Sequence, residues 1–111
     1  MSVYVDDMRA PYGRLIMCHM VSDDPTHAEL HDMADKIGVA RKWFQGDHYD
    51  ICLSKRAKAV QFGAVECTME DASRITVPRR LDARADAWEA KGDHEMAAKC
   101  REHAREIRER E

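Results

Sequence analysis

Several common signatures are missing from this sequence. It opens M-S-V-Y-V-D-D, without a basic start or an apolar signal region, and its longest apolar run falls far short of the roughly 20 residues that span a membrane. The four cysteines form no CxxC pair, and scattered thiols without a secretory signal are typical of reduced cysteines in a cytoplasm. We therefore expect a cytoplasmic protein without a membrane segment.

A strong charge of one sign is also missing. The formal net charge is −3 over 111 residues, which gives no general attraction to nucleic acid and leaves no strong nucleic-acid signal. The HExxH and G-x-S-x-G motifs and a glycine-rich phosphate loop do not occur either. Any functional site must therefore be built from dispersed residues.

The hydrophobic pattern indicates strands that alternate with helices. Short β-rich segments predict four strands, at residues 2–5, 15–21, 49–53 and 64–67. The segment 15–21 is apolar on both faces apart from His19, which is typical of a central strand. Residues 8–14 contain a proline and a glycine and are expected to form a loop. Residues 1–78 are thus predicted to be an α/β domain with a small mixed, partly parallel sheet of about four strands.

The clearest predicted helix follows the second strand. Asp23 or Asp24 caps it, a proline suits its first position, and Gly38 can take the left-handed conformation that ends it. Shorter helices are expected at residues 55–62 and 69–75.

The composition changes after Pro78, which is expected to end the last of these helices. Residues 79–111 contain nine Lys/Arg and nine Asp/Glu among thirty-three residues. A turn and cap at Gly92 and Asp93 separate two helical stripes of apolar residues, which are Leu81, Ala85 and Trp88, then Met96, Cys100, Ala104 and Ile107. This pattern predicts a charged helical hairpin, which is a candidate contact surface for a protein partner or a homo-oligomer.

Groups that bind, donate or titrate are most concentrated in residues 43–50, W-F-Q-G-D-H-Y-D. Histidine and carboxylate together are ligands for zinc, manganese or iron, and they are also the usual acid–base pair near neutral pH. We select His19, His48 and Asp50 as candidate catalytic residues, and these three with Asp6 as candidate ligands of a divalent metal. Further candidate binding residues are Asp6, Asp23, His31, Tyr49 and Arg41.

The sequence leaves two arrangements of the histidines open. If the sheet is parallel there, His19 and Asp23 lie at the carboxyl edge, where open α/β folds bind ligands, whereas His48 lies at the other edge. One shared site requires the third strand to run antiparallel, or the preceding loop to fold across. His19 also fits a buried core histidine, and the His27–His31 spacing fits packing as well as a metal pair.

Seven short segments together resemble one family. They are V-Y-V-D at 3–6, G-R at 13–14, C-H-M-V-S-D at 18–23, E-L-H at 29–31, A-D-K-I-G at 34–38, D-H-Y-D at 47–50 and G-A-V at 63–65. In this order they resemble the small phage and bacterial proteins grouped as domain of unknown function 4031, over roughly residues 3 to 68. The resemblance implies a phage-type protein, in the host cytoplasm if a phage encodes it, and the family has no assigned activity.

The resemblance also implies which polar residues belong to the shared pattern. They are Asp6, His19, Asp23, Glu29, His31, His48, Tyr49 and Asp50. The segment after Arg79 lies outside that pattern, so the hairpin is expected to be an accessory of this protein or its near relatives.

Two functions from different classes fit these observations. The first is a small hydrolase for a phosphate-containing substrate, in which His19 and His48 are acid–base residues or metal ligands and Asp6 and Asp50 hold the metal or orient a histidine. The second is a non-enzymatic protein-binding or regulatory module, with a structural polar network and a hairpin that contacts a partner. Metal content and the distance between the two histidines distinguish them.

Overall fold

The computed structural model describes residues 1–110. The elements, in chain order, are strands β1 (Val3–Val5), β2 (Ala10–Tyr12) and β3 (Leu15–Ser22), helix α1 (Ala28–Ile37), a 3₁₀ turn (Arg41–Trp43), strand β4 (Tyr49–Cys52), helix α2 (Leu53–Gln61), strand β5 (Val65–Glu66), and helices α3 (Met69–Ala90) and α4 (His94–Glu109). The chain divides into two compact units, the first unit Met1–Ala72 and the second unit Ser73–Glu111. Across residues 1–110, no helix is long and apolar enough to cross a membrane.

The sheet of the first unit is organised around β3. This strand pairs antiparallel with β1, β2 and β4, while β1 also pairs parallel with β5. The predicted α/β class with a mixed, partly parallel sheet is confirmed. The described chain has five strands rather than about four, because part of the predicted loop at residues 8–14 is β2. Gly13 has φ +60° and starts the two-residue turn that lets β2 and β3 form a hairpin.

A bulge separates β1 from β2. The pairs on either side of it show that residues 6–9 lie opposite only two residues of β3. The extra residues leave the ladder, so the chain bends there. Asp6 begins this segment and donates its backbone N–H to the carbonyl of His19 at 3.0 Å.

One face of the sheet forms the core with α1 and α2. Alternate residues of each strand point to that face, and those between them point to the other. The buried apolar cluster consists of Val3, Val5, Met20, Leu30, Met33, Ala34, Ile37, Tyr49, Ile51, Ala59 and Ala64.

The start of α1 differs from the prediction. The helix begins at Ala28 and not at the proline after Asp24, because Asp24 Oδ1 accepts hydrogen bonds from the N–H and the hydroxyl of Thr26 and fixes a turn first. His27 then occupies the N-cap position with φ +61°. The predicted end at Gly38 is confirmed, with φ +79°. The predicted strands and the helix at residues 55–62 are within two residues of their observed bounds.

The predicted helix break at Pro78 is wrong. Helix α3 runs through this residue, although a proline in a helix interior removes one backbone hydrogen bond at a cost of about 3 kcal/mol. Pro78 is fully buried, and the adjacent Val77 packs against a buried apolar cluster of Leu81, Ala104 and Ile107. We attribute the continuity of α3 to this apolar burial, which offsets the lost bond.

The predicted C-terminal helical hairpin is confirmed. Its turn contains Gly92, with φ +81°, and Asp93 caps α4 by accepting a hydrogen bond from the N–H of Met96 at 3.0 Å. The charged residues of the hairpin form ion pairs on exposed surfaces, as in the pair of Arg108 with Asp82 at 2.6 Å.

Candidate metal site

The pairing of β3 with β4 brings together two of the predicted site residues. The strands are antiparallel, and His19 lies directly opposite Asp50. Since Tyr49 and Ile51 face the core, Asp50 points to the opposite face of the sheet, where His19 also lies. The antiparallel direction is the condition that one shared site required, and it puts His48, at the start of β4, beside the same pair.

His19 is held by the buried carboxylate of Asp6. The Nδ1 atom of His19 donates to Asp6 Oδ2 at 2.7 Å, and Asp6 Oδ1 accepts from the backbone N–H groups of His19 at 2.8 Å and Met8 at 3.2 Å. Burial acts to raise the pKa of Asp6, but the hydrogen bonds from His19 and Met8 favour the charged form more, so its pKa lies below the ordinary value. Asp6 is therefore a carboxylate that fixes the ring of His19.

The Asp6 segment is itself fixed from α2. Arg56 Nε donates to the backbone carbonyl of Asp6 at 2.8 Å, and Arg56 Nη1 pairs with Glu66 Oε1 at 2.7 Å. The arginine thus ties the bulge between β1 and β2 to the helix and to β5. Arg56 thereby fixes the backbone of Asp6, whose side chain orients His19.

His48 is held in the same way by its neighbour in the chain. The Nδ1 atom of His48 donates to Asp47 Oδ1 at 2.6 Å. Gln45 supports this loop twice, because its N–H donates to the carbonyl of His48 at 2.9 Å and its Nε2 donates to Asp50 Oδ2 at 2.8 Å. One oxygen of Asp50 is therefore fixed by Gln45 and the other faces the histidines.

The two rings converge on that second oxygen. His48 Nε2 lies 3.5 Å and His19 Nε2 lies 3.8 Å from Asp50 Oδ1, and the ring centroids are 5.1 Å apart. One ligand atom from each of the three residues lies within 4.8 Å of the others. Asp50 Oδ1 is buried and accepts no hydrogen bond from any group in residues 1–110.

The protonation of the rings decides which ring nitrogens can bind a cation. A carboxylate can only accept, so each Nδ1 carries a proton, and the Nε2 of a neutral ring is then a lone-pair acceptor. Two such nitrogens and a carboxylate oxygen are the donor atoms with which proteins bind a divalent transition metal. Ligands at 2.0–2.1 Å from a tetrahedral zinc ion are roughly 3.3 Å apart, so the two distances from the histidines to Asp50 Oδ1 need only a small contraction.

The other predicted binding residues lie elsewhere. Asp23 Oδ1 accepts the N–H of Ser2 at 2.7 Å and secures the start of the chain. His31 Nδ1 bonds to the hydroxyl of Tyr49 at 2.7 Å on the core side of the sheet. Burial, together with the charges of Arg41 and His27, lowers the pKa of His31, and burial raises the pKa of Tyr49.

Arg41 is thus beside the His31–Tyr49 pair, and this group is separate from the His19–His48–Asp50 cluster. The rings of His27 and His31 are 6.5 Å apart and both pack near Phe44. This arrangement is that of packed aromatic rings.

Of the residues that support the cluster, the sequence selected Asp6, and Asp47 was a candidate because it adjoins His48 in the polar segment 43–50. The sequence selected neither Gln45 nor Arg56. Gln45 and Arg56 act through contacts that no local pattern encodes, since Arg56 lies fifty positions from Asp6.

Comparison with protein families gives one finding. The chain matches the model of the family described as "Protein of unknown function (DUF4031)" over residues 3–79, which include the whole His–Asp cluster and the residues that support it. No curated protein and no solved structure matches the chain. Since the matched segment is more than half of the sequence, the chain belongs to this family of proteins of unknown function.

Proposed function

We propose that His19, His48 and Asp50 bind one divalent transition metal and that this centre hydrolyses a phosphate ester. The observation that carries the proposal is the buried Asp50 Oδ1, which accepts no hydrogen bond in residues 1–110 and faces two imidazole nitrogens. A buried anionic oxygen without a partner is costly, and a metal ion would remove that cost.

The surrounding contacts support a metal over a simple ion pair. Distances of 3.5 Å and 3.8 Å are too long for the charge-assisted hydrogen bonds that a protonated histidine makes with a carboxylate. Each ring instead donates its Nδ1–H to a carboxylate, and its Nε2 faces Asp50 Oδ1. A histidine that binds a metal through one ring nitrogen usually donates the N–H of the other to a carboxylate in this way. Asp6, Asp47 and Gln45 are then positioning residues.

The donor set indicates which chemistry the metal would supply. Two histidines and one carboxylate match catalytic zinc sites with three protein ligands and one open position, and they also suit iron(II). A metal of this kind would lower the pKa of a bound water molecule to about 7 and would polarise a phosphoryl oxygen. The side chains of the three ligands are 13–34% exposed, so water and a substrate can reach them.

The proposed reaction balances without an oxidant or reductant. A water oxygen attacks phosphorus, the bond from phosphorus to the ester oxygen breaks, the water loses one proton to solvent, and the leaving oxygen gains one. His19, His48 and Asp50 would hold the metal. The carboxylates of Asp6 and Asp47 fix the rings of His19 and His48.

Metal analysis tests the binding step. Chelator-treated protein reloaded with zinc should retain one ion per chain, and His48→Ala should retain none while keeping its circular dichroism spectrum. His103→Ala, which changes an exposed histidine of α4, is the matched control and should bind like the unaltered protein. Zinc in hundredfold excess over its dissociation constant should stabilise the unaltered protein by about 2.7 kcal/mol and leave His48→Ala unchanged.

Hydrolysis is tested separately with bis(4-nitrophenyl) phosphate. The zinc-, manganese- and iron(II)-loaded proteins are compared with the chelator-treated one, and release of nitrophenol should require the metal and be lost in His48→Ala. Absence of stoichiometric metal binding would overturn the whole proposal. Stoichiometric binding with no turnover of any phosphate ester would overturn the hydrolase and leave a metal-binding protein.

A further inference from the structure

The hairpin of β2 and β3 exposes apolar side chains next to the proposed metal site. We name residues 10–17 the hairpin arm. Tyr12 is 75% exposed and Leu15 is 49% exposed, whereas Ile16 is exposed on the opposite face of the strand. Large apolar side chains that are exposed side by side on a small protein form a candidate binding surface.

The strand register puts this surface in line with the His–Asp cluster. Tyr12 pairs with Leu15, Ala10 with Met17, and the same alternation along β3 leads to His19. Tyr12, Leu15 and Met17 therefore lie on the sheet face that carries His19 and Asp50. Leu15 and His19 are four residues apart on one strand, which corresponds to about 13 Å.

The arm and the residue before it differ in charge from the chain as a whole. Residues 9–17 contain Arg9 and Arg14 and no acidic residue, although the whole sequence has a net charge of −3. Exposed aromatic and apolar side chains between arginines are the components with which proteins bind single-stranded nucleic acid. The local charge complements a phosphate backbone where the overall charge does not.

The free edge of β2 is unsuited to pairing with a strand from a second copy of the chain. Tyr12 and Leu15 flank the two-residue turn and form its hydrogen-bonded pair, so the backbone groups of position 11 point to the free edge. Proline at this position has no N–H to donate there, which is a common way to block strand pairing. The arm is therefore suited to bind through its side chains.

We infer that the hairpin arm binds bases of a single-stranded nucleic acid and thereby presents a backbone phosphodiester to the His19–His48–Asp50 cluster. This inference rests on the proposed function and narrows its substrate to a single strand. Tyr12 stacks on a base, Leu15 and Met17 contact it from the strand beside, and Arg9 and Arg14 neutralise neighbouring phosphates.

Fluorescence anisotropy with a short fluorescein-labelled oligothymidylate tests the binding, using the full-length zinc-loaded protein. Tyr12→Ala should weaken binding roughly 5- to 150-fold, the range that stacking of one base on an aromatic ring provides. Arg14→Ala should weaken it less and lower the slope of log affinity against log salt by about one. Phe62→Ala, which changes another exposed aromatic residue away from the arm, and Lys36→Ala are the matched controls and should bind normally.

The outcomes separate this inference from the proposed function. If bis(4-nitrophenyl) phosphate is hydrolysed but the oligonucleotide neither binds nor is cut, the inference fails and the hydrolase stands. If the oligonucleotide binds through Tyr12 but no metal is retained, the proposed function fails and the arm is a nucleic-acid surface only. If Tyr12→Ala instead changes the molar mass in solution without affecting oligonucleotide binding, the arm contacts a second copy and the inference is overturned.

Discussion

The two compact units use charged side chains in opposite ways. In the first unit the carboxylate of Asp6 is buried and bonded to His19, and Arg56 reaches the same residue from a distant helix. In the second unit the charged groups pair at the surface, as Arg108 does with Asp82. Strand register can thus gather acids and histidines at one point, whereas helix spacing distributes them over a solvated surface.

The energies of the two kinds of contact differ accordingly. When a buried carboxylate loses its hydrogen-bond partners, no water can replace them. Removing either the carboxylate or its partner therefore lowers the free energy of unfolding strongly. An exposed ion pair competes with water and salt, and it contributes little. Substitutions of buried charged groups in the first unit should therefore reduce stability far more than substitutions of exposed pairs in the second unit.

Asp6→Ala should cause the greatest loss of stability. The change removes the acceptor of two backbone N–H groups and of the His19 ring, and we expect the free energy of unfolding in urea to fall by about 3–5 kcal/mol. Asp32→Ala, at an exposed position of α1, is the control and should change it by at most about 0.5 kcal/mol. A loss below about 1 kcal/mol for Asp6→Ala would show that the buried network is not what distinguishes the first unit.

The same residue predicts a dependence on pH. Because the pKa of folded Asp6 lies below its ordinary value, its contribution to stability is complete above the unfolded pKa of about 3.9 and is lost as the pH falls through the lower folded value. As the pH falls from about 5 to about 3, the difference in unfolding free energy between the unaltered protein and Asp6→Asn should thus shrink. A difference that grows over this acid range would contradict the assigned charge of Asp6.

The stability of the second unit should depend on the volume of the side chains in its core. Ala104 is fully buried in the cluster with Leu81 and Ile107, so Ala104→Leu forces extra atoms into a packed contact and should cost about 1–3 kcal/mol in thermal or urea unfolding. Ala98→Leu, at an exposed position of the same helix, is the matched control and should be nearly neutral. Equal effects of the two substitutions would mean that the hairpin has no specific core.

Much of the fold follows from local signals in the sequence. Apolar strands, the left-handed stop at Gly38 and the cap at Asp93 depend on neighbours in the chain, and the prediction placed them correctly. Two features depended on tertiary context instead. Burial along α3 overrides the helix-breaking tendency of Pro78, and a two-residue turn converts the expected loop at residues 8–14 into the hairpin arm.

The sequence proposed candidate residues for the site but could not predict how they are arranged. Residue chemistry selected His19, His48 and Asp50, but the direction of β4 decides whether they meet, and direction is a property of sheet pairing. The sequence also could not assign Asp6 its place. Its two oxygens accept three hydrogen bonds from His19 and Met8, so we now propose it as a positioning residue and not as a metal ligand.

The smallest effect is expected for the surface ion pairs of the second unit. Arg108 Nη2 lies 2.6 Å from Asp82 Oδ2, yet the two side chains are 49% and 42% exposed, so Arg108→Ala should change the unfolding free energy by at most about 1 kcal/mol. A double-mutant cycle with Asp82→Ala measures the coupling, which should fall further as salt is added because exposed charges are screened. A coupling of about 2 kcal/mol or more that resists salt would place this pair with the buried contacts of the first unit, and the contrast between the two units would no longer hold.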